Sequence, residues 1–304
     1  MTWRNILISN PAKLRCENNS LIIEQDCKYH VPLEDISSIV LDCPQIVVTQ
    51  PVLSFCADRG IAIYTTDSKH IPNGVFLSFS THSKTTKFLN LQLNISKPLQ
   101  KRLWAQLVNR KILNQAACLE LCGYSLDSEY IRRLATKIRS GEPDNIESRA
   151  AAYYFKKLFN ANFSRNYDDD IINGCLNYGY SIIRGEIARR LVAHGLDVHL
   201  GLFHKNQANS FNLADDFIEP YRAVVDLFTK QYIDSPFDGK LPKSKLIELL
   251  YNEVETQKGN MSVSQSIEIL VESFIRVLDG TEKQLELPVL KALSKHLYED
   301  NLLP

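Results

Sequence analysis

The sequence predicts an α+β multidomain protein, in which a small N-terminal β-sheet domain is followed by a larger all-α C-terminal domain. Residues 5–79 contain short apolar runs with the alternation of strands, separated by turn residues such as Asn18-Asn19 and Pro72-Asn73-Gly74. Beyond about residue 95 the apolar residues recur with the spacing of helices. The chain of 304 residues is also longer than one domain of the usual size, about 100 to 150 residues.

The first part of the chain is expected to form seven strands and one short helix. Pro51 near the start and Gly60 just past the end predict the helix. We place the β domain at residues 1–85, a linker at 86–96 and the helical domain at 97–304. The expected strands are Asn5–Ser9, Lys13–Cys16, Ser20–Glu24, Lys28–Pro32, Ile36–Leu41, Ile61–Tyr64 and Val75–Phe79.

The helical domain begins at Ser96-Lys97-Pro98, and its first helix continues with helical spacing until Gly123. Helical spacing then recurs to the end of the chain. The further helices are predicted at about residues 128–140, 147–160, 170–194, 213–230, 243–256, 262–280 and 287–299.

The charge composition does not point to nucleic acid. The 35 basic and 35 acidic residues balance, so the protein as a whole creates no positive field that would attract DNA. Basic residues, Lys111 among them, nevertheless outnumber acids from Lys101 to Arg139, which is compatible with a local phosphate-binding face.

Cysteine usage and hydropathy predict the compartment. The seven cysteines are scattered and form no Cys-x-x-Cys pair, which argues against a disulfide framework or a zinc knuckle and favours a reduced cytoplasm. The first residues lack the apolar core of a signal peptide, and no apolar stretch reaches the length of about 18 residues that a membrane helix needs. We therefore expect a soluble cytoplasmic protein with no membrane partner.

Two stretches carry the residues of a candidate metal site. The segment 201–222 contains His204, Arg222 and three carboxylates, Asp215, Asp216 and Glu219. A second stretch places Glu147 alone ahead of small and aromatic residues. A set of two Glu and one His suits Mg²⁺ or Mn²⁺ better than Ca²⁺ or structural Zn²⁺. If residues 213–229 form one helix, Asp216 and Glu219 share a face near its first turn.

Each of these residues also has a structural interpretation. Asp215 or Asp216 can cap a helix or favour its positive end. Glu219 can lie on a solvated helix face. His204 follows an apolar run, where a histidine can serve as a hydrogen-bonded structural residue. The residues taken singly do not decide between these interpretations.

Six motifs follow one another along the sequence. They are Val31–Asp42, Asp58-Arg59-Gly60-Ile61, Asn145-Ile146-Glu147, Asn177-Tyr178-Gly179-Tyr180, Gly195-Leu196-Asp197 and Asn212–Arg222. In this order they resemble the family of CRISPR-associated adaptation integrases, the larger protein of the adaptation pair, and especially members that accompany type II CRISPR systems. The similarity extends from about residue 5 to 230.

The resemblance implies a different role for each domain. In the family the N-terminal β domain mediates dimerisation, and the helical domain carries a Mg²⁺ or Mn²⁺ site of one Glu, one His and one further acid. The matching positions are Glu147, His204 and Glu219, with Asp216 as an auxiliary ligand. His204 is then a ligand in its neutral form and not a general base.

The resemblance also implies the reaction and the partners. The 3′-hydroxyl of a short double-stranded protospacer attacks a phosphodiester of the CRISPR array, and the enzyme is a homodimer that forms a heterohexamer with a small ferredoxin-like partner. Four basic residues are candidates for phosphate contacts: Arg149, Arg184, Lys205 and Arg222. The alternatives are a metal-dependent nuclease that hydrolyses branched or single-stranded DNA, and a non-catalytic DNA-binding scaffold whose carboxylates are helix caps.

Overall fold

The computed structural model describes residues 4–68, 70–79, 82–141, 144–165, 170–236 and 239–296. The chain separates into two compact units. The first unit consists of Met1–Ile95 and Asn177–Asp215, and the second of Ser96–Leu176 and Asp216–Pro304. Strands dominate the N-terminal part and helices most of the remainder, which confirms the predicted fold class.

Two four-stranded sheets form the N-terminal part of the first unit. One sheet has the order β1-β5-β7-β8, with β1 parallel to β5, β5 parallel to β7, and β8 antiparallel to β7. The other has the order β4-β3-β2-β6. The strands are β1 Arg4–Ile8, β2 Ala12–Glu17, β3 Ser20–Glu24, β4 Lys28–Pro32, β5 Ile36–Leu41, β6 Ile46–Val48, β7 Ala62–Thr66 and β8 Pro72–Phe76.

Six of the predicted strands agree with these positions to within two residues, whereas the strand predicted at Val75–Phe79 is β8 and lies three residues earlier, at Pro72–Phe76. The turn chemistry explains the hairpin between β2 and β3. Asn18 and Asn19 have φ of 47° and 62°, the left-handed conformation that a tight hairpin turn requires and that Asn tolerates. Helix α1, Gln50–Asp58, begins with Pro at its first turn, and the chain passes through Gly60 at φ 64°. β6 was not among the predicted strands, because three residues are too few to show an alternation.

Helix α6, Ile171–Ala193, contributes its later residues to the first unit. Gly185 of this helix lies directly against Tyr64 of β7, because a Cβ added at Gly185 would be 2.1 Å from a ring carbon of Tyr64. The absence of a side chain at this position therefore allows the helix backbone to approach the sheet.

Helices make up most of the second unit. The long helix α3 has Ser96 as its N-cap, whose hydroxyl accepts a hydrogen bond from the amide of Leu99, and Pro98 in its first turn. α10 begins with a capping box of Ser262 and Gln265. The helices are α3 Lys97–Leu121, α4 Ser125–Ala135, α5 Ile146–Leu158, α8 Arg222–Asp234, α9 Lys243–Glu248 and α10 Val263–Leu278.

The C-terminal helix predicted at 287–299 is wrong over the described part of this segment, and its last three residues lie outside the described ranges. Residues Val289–Lys295 form strand β11, which pairs with β9, Asn252–Thr256, in an antiparallel sheet completed by β10, Gly259–Ser262. The predicted helix 243–256 likewise ends early, because α9 stops at Glu248 and β9 follows. Pairing with a distant strand outweighs the local helical spacing of these segments.

The single helix predicted at 213–230 is divided into three pieces. α7, Asn212–Phe217, is followed by a 3-10 turn, Glu219–Tyr221, and then by α8. Pro220 lies in the 3-10 turn, where its missing N–H interrupts the α-helical hydrogen bonding. Asp216 and Glu219 therefore do not share one helix.

Residues predicted as a linker contain helix α2, Thr85–Leu93. The division into domains 1–85 and 97–304 joined by 86–96 stays a prediction. Among the residues that the structure describes, no helix combines the length and hydrophobicity that crossing a lipid bilayer requires.

Candidate active site

Glu147 and Glu219, called the carboxylate pair below, converge on one ammonium group in the second unit. Nζ of Lys111 lies 2.5 Å from Oε1 of Glu147 and 2.5 Å from Oε2 of Glu219. The side chains of Lys111 and Glu219 are 10% and 4% exposed, whereas that of Glu147 is 23% exposed. The carboxylate pair is thus buried on the Glu219 side and reachable from solvent on the Glu147 side.

Local structure places both carboxylates. Glu147 stands in the first turn of α5, where the positive end of the helix stabilises a negative charge. Glu219 opens the 3-10 turn, and the buried side chain of Asn114 on α3 holds this turn. The amide of Asn114 donates to the carbonyl oxygens of Pro220 at 2.7 Å and Pro288 at 3.0 Å. Lys111 and Asn114 are one turn apart on α3, so one helix face orients the ammonium and the Glu219 turn.

Arg222 supplies a second cation to Glu219. Its guanidinium donates to Oε1 of Glu219 at 2.9 Å. Burial by itself would raise the pKa of Glu219, but Arg222 and Lys111 outweigh it and lower the pKa to about 2. Burial would lower the pKa of Lys111, but Glu219 and Glu147 outweigh it and raise the pKa. Glu219 and Lys111 are therefore both charged at neutral pH.

His204 belongs to the first unit and lies in an irregular segment ahead of α7. Its side chain is half-buried, and its ring meets the ring of Phe203 edge to face with centroids 5.6 Å apart. The buried side-chain amide of Asn212 stabilises this segment. It donates hydrogen bonds to the carbonyl oxygens of Asn206 at 3.0 Å and His199 at 3.1 Å. The loop that carries His204 is thus closed on both sides of the histidine.

The sequence model of the family described as CRISPR associated protein Cas1 matches residues 6–236. The chain is 40% identical over 305 aligned residues to the CRISPR-associated endonuclease Cas1 of Neisseria meningitidis serogroup C (strain 8013), with 98% of this chain and 100% of that protein covered. This chain belongs to the Cas1 family. The predicted resemblance to CRISPR-associated adaptation integrases is confirmed.

Solved structures show that the fold is that of Cas1-like proteins. A casposase bound to integration product superposes with a TM-score of 0.76 at 20% identity, covering 94% of this chain and 92% of that one. A chain of a Cas6-RT-Cas1–Cas2 complex gives a TM-score of 0.73 at 18% identity, covering 93% of this chain and 36% of that longer one. At these identities the likeness concerns the fold.

The predicted Cas1 metal ligands belong to both units. The structure brings Glu147 and Glu219 together across one cation. Asp216 is fully buried in α7 and belongs to the same unit. His204 belongs to the other unit. The metal-binding roles of Glu147, His204, Glu219 and Asp216 all stay predictions.

The four predicted DNA contacts have different environments. Arg149 on α5 and Lys205 are exposed. Arg222 is half-buried and serves Glu219 as a counter-charge. The guanidinium of Arg184 is 5.2 Å from the ring centroid of Phe211. The role of each in DNA binding stays a prediction.

The sequence did not identify two residues of the candidate site, Lys111 and Asn114. Lys111 was grouped with a basic phosphate-binding face, but the structure buries it between carboxylates, which corrects that interpretation. Asn114 was not singled out. The helical spacing carried the signal, because Leu107, Lys111 and Asn114 follow one another at intervals of four and three on the buried face of α3.

The low pKa of Glu219 predicts acid sensitivity of the metal-free protein. The folded pKa of about 2 lies below the ordinary 4.5, so ionised Glu219 stabilises the fold fully above about pH 4.5, and this contribution is lost as the pH falls through about 2. We expect a loss of about 3 kcal/mol in the free energy of unfolding from this group. Urea unfolding in EDTA at pH 6 to 2.5 measures it, and Glu219→Gln should lack this component. Parallel pH curves for parent and variant would contradict the assignment.

Proposed function

We propose that this protein is a metal-dependent DNA integrase of CRISPR adaptation, which inserts short double-stranded protospacer DNA into a CRISPR array. The observation that carries the proposal is the convergence of Glu147 and Glu219 on a single cation in a member of the Cas1 family. The name of the Neisseria relative, an endonuclease, and the casposase bound to integration product support chemistry on phosphodiesters. Such an enzyme works where the prokaryotic chromosome lies, in the cytoplasm.

The carboxylate pair fits Mg²⁺ or Mn²⁺. Oxygens of both carboxylates contact the same nitrogen at 2.5 Å, which supports a shared site for one ion. Glu219 is ionised at neutral pH, as a ligand must be. Carboxylate oxygens are the ligands these hard ions prefer, and Mn²⁺ also accepts the imidazole that we assign to His204. A bound ion would activate a hydroxyl and neutralise charge on the phosphorus being attacked.

The reaction we propose is a transesterification. The 3′-hydroxyl oxygen of the protospacer forms a bond to a phosphorus of the array, and the bond from that phosphorus to the neighbouring 3′-oxygen breaks. The attacking hydroxyl gives its proton to solvent, and the departing 3′-oxygen takes one up. The carboxylate pair and His204 hold the ion, Asp216 assists, and Arg149, Arg184, Lys205 and Arg222 are candidates for holding the DNA backbone.

We further propose that the enzyme is a homodimer through its N-terminal β domain and assembles with a small ferredoxin-like adaptation protein into a heterohexamer. The Cas6-RT-Cas1–Cas2 complex, which contains a chain of the same fold, supports such a partner. Hydrolysis of DNA by the same carboxylates is the second candidate, since the Neisseria relative is named an endonuclease.

A strand-transfer assay with matched substrates distinguishes these functions. The purified protein, with and without the small partner, is incubated with Mn²⁺ or EDTA, a plasmid that carries an array, and a labelled duplex ending in 3′-hydroxyl or 3′-deoxy groups. Label joined to the plasmid only with the 3′-hydroxyl duplex and Mn²⁺ is the expected result. Shortened label with both duplexes would favour hydrolysis. DNA binding without either product would leave a scaffold and overturn the proposal.

A further inference from the structure

The cation in contact with the carboxylate pair is a side chain of the protein, the ammonium of Lys111. A buried ammonium is costly unless other charges compensate for the lost hydration. Lys111 meets this condition through two contacts of 2.5 Å, one to each member of the carboxylate pair.

Each carboxylate oxygen of Glu219 contacts a different cation. Arg222 donates to Oε1, and Lys111 lies against Oε2. These contacts place Lys111 between Oε2 of Glu219 and Oε1 of Glu147. Because Oε1 of Glu219 already accepts from Arg222, a divalent ion held by Glu219 through Oε2 would need the oxygen that Lys111 contacts.

We propose that Lys111 is a resident counter-cation of the carboxylate pair, which must leave Oε2 of Glu219 before a divalent ion can bind there. Lys111 thereby stabilises the metal-free protein and weakens metal binding. The inference rests on the proposed function in one respect, namely that the carboxylate pair is the metal site.

Metal affinity of lysine variants tests this inference. Lys111→Met removes the charge and keeps an extended side chain, whereas Lys111→Arg keeps the charge. Lys101→Met is the matched control, because Lys101 is an exposed lysine on the same helix. We expect Lys111→Met to bind Mn²⁺ at least about tenfold more tightly than the parent, the lower range of coupling between close charges. Lys111→Arg and Lys101→Met should stay within about threefold of the parent.

Thermal unfolding and NMR give independent readouts. In EDTA the melting temperature of Lys111→Met should fall by several degrees, and saturating Mn²⁺ should raise it by more than it raises that of the parent. In the parent protein, labelled with ¹⁵N at lysine Nζ, saturation with Mg²⁺ should shift the Lys111 resonance, which Lys111→Arg identifies by its loss. This measurement holds even if Lys111→Met folds poorly.

The outcomes separate this inference from the proposed function. If Lys111→Met binds Mn²⁺ as weakly as the parent or more weakly, or if the Lys111 resonance is unmoved by Mg²⁺, Lys111 does not compete with the ion and the inference is overturned. The proposed function stands in that case, provided that Glu147→Gln loses Mn²⁺ binding. If parent, Lys111→Met and Glu147→Gln all bind Mn²⁺ alike, the carboxylate pair is not the metal site, and both fail.

Discussion

Replacing Glu147 by glutamine is expected to reduce strand transfer by about a thousandfold, the scale on which removal of one electrostatic group in an active site acts. Glutamine keeps the shape of the side chain but has no charge with which to hold Mg²⁺ or Mn²⁺. Glu219 offers the ion its Oε2 once Lys111 leaves, but its Oε1 already accepts from Arg222, so it cannot also replace the lost oxygen of Glu147. The rate of label transfer in a single turnover and Mn²⁺ affinity measure the effect, and both should fall.

The fold should survive this substitution. Glu147 is 23% exposed, and in the variant Lys111 keeps its contact with Glu219 at 2.5 Å, so the ammonium is still paired. Glu129→Gln is the matched control, since Glu129 is an exposed helical glutamate paired with Arg133 at 3.2 Å, and it should transfer label at the parental rate. Transfer by Glu147→Gln within threefold of the parent would remove Glu147 from the active site.

Replacing Gly185 by alanine is expected to destabilise the protein by about 3 kcal/mol, the upper part of the usual range for an overpacked core. The new Cβ would lie 2.1 Å from one ring carbon of Tyr64 and 2.7 Å from its hydroxyl oxygen. Tyr64 is buried in β7 between β5 and β8, so neither ring nor helix can shift cheaply. The midpoint of urea unfolding, followed by circular dichroism, measures the loss.

A second glycine of the same helix provides the control. A Cβ at Gly174 would be 3.7 Å from the nearest atom, a methyl group of Leu241, which is an ordinary contact. Gly174→Ala should therefore be neutral or stabilise by up to about 1 kcal/mol, through helix propensity alone. Tyr64→Leu removes the overlapping ring atoms, so the double variant with Gly185→Ala should lose less than the sum of the single losses. Additive losses would show that the ring is not what Gly185 accommodates.

The N-terminal strands and the long helices follow from the sequence because their signals are local. Alternation, the Asn18-Asn19 turn and the Pro and Gly limits of α1 act within a few residues, and the structure agrees with them. The α5 and α10 predictions agree for the same reason. In the candidate site, Glu147 and Glu219 were found by residue type and family motif, and the structure brings them together.

Features set by distant partners could not be read from local patterns. β11 has the apolar spacing of a helix, yet its backbone pairs with the distant strand β9. The amide of Leu290 in β11 also donates a hydrogen bond to the side chain of Asn114, 176 positions away. Lys111 looked like one member of a basic surface because sequence shows its charge but not the two carboxylates that surround it. The 3-10 turn at Pro220 is likewise held by a distant residue, because Asn114 donates a hydrogen bond to the carbonyl oxygen of Pro220.

The hydrogen bonds of Asn114 determine when the candidate site can be completed during synthesis. Its acceptors, the carbonyl oxygens of Pro220 and Pro288, lie 106 and 174 positions after Asn114. A ribosome therefore makes the Glu219 turn long before it makes Pro288. Until then this buried amide has only one of its two carbonyl partners. Contacts of such long separation form late and slowly. The nascent protein therefore acquires its fully anchored Glu219 turn only after Pro288 has been made. A chain that terminates before Pro288 would retain Lys111, Glu147 and Glu219 without this support.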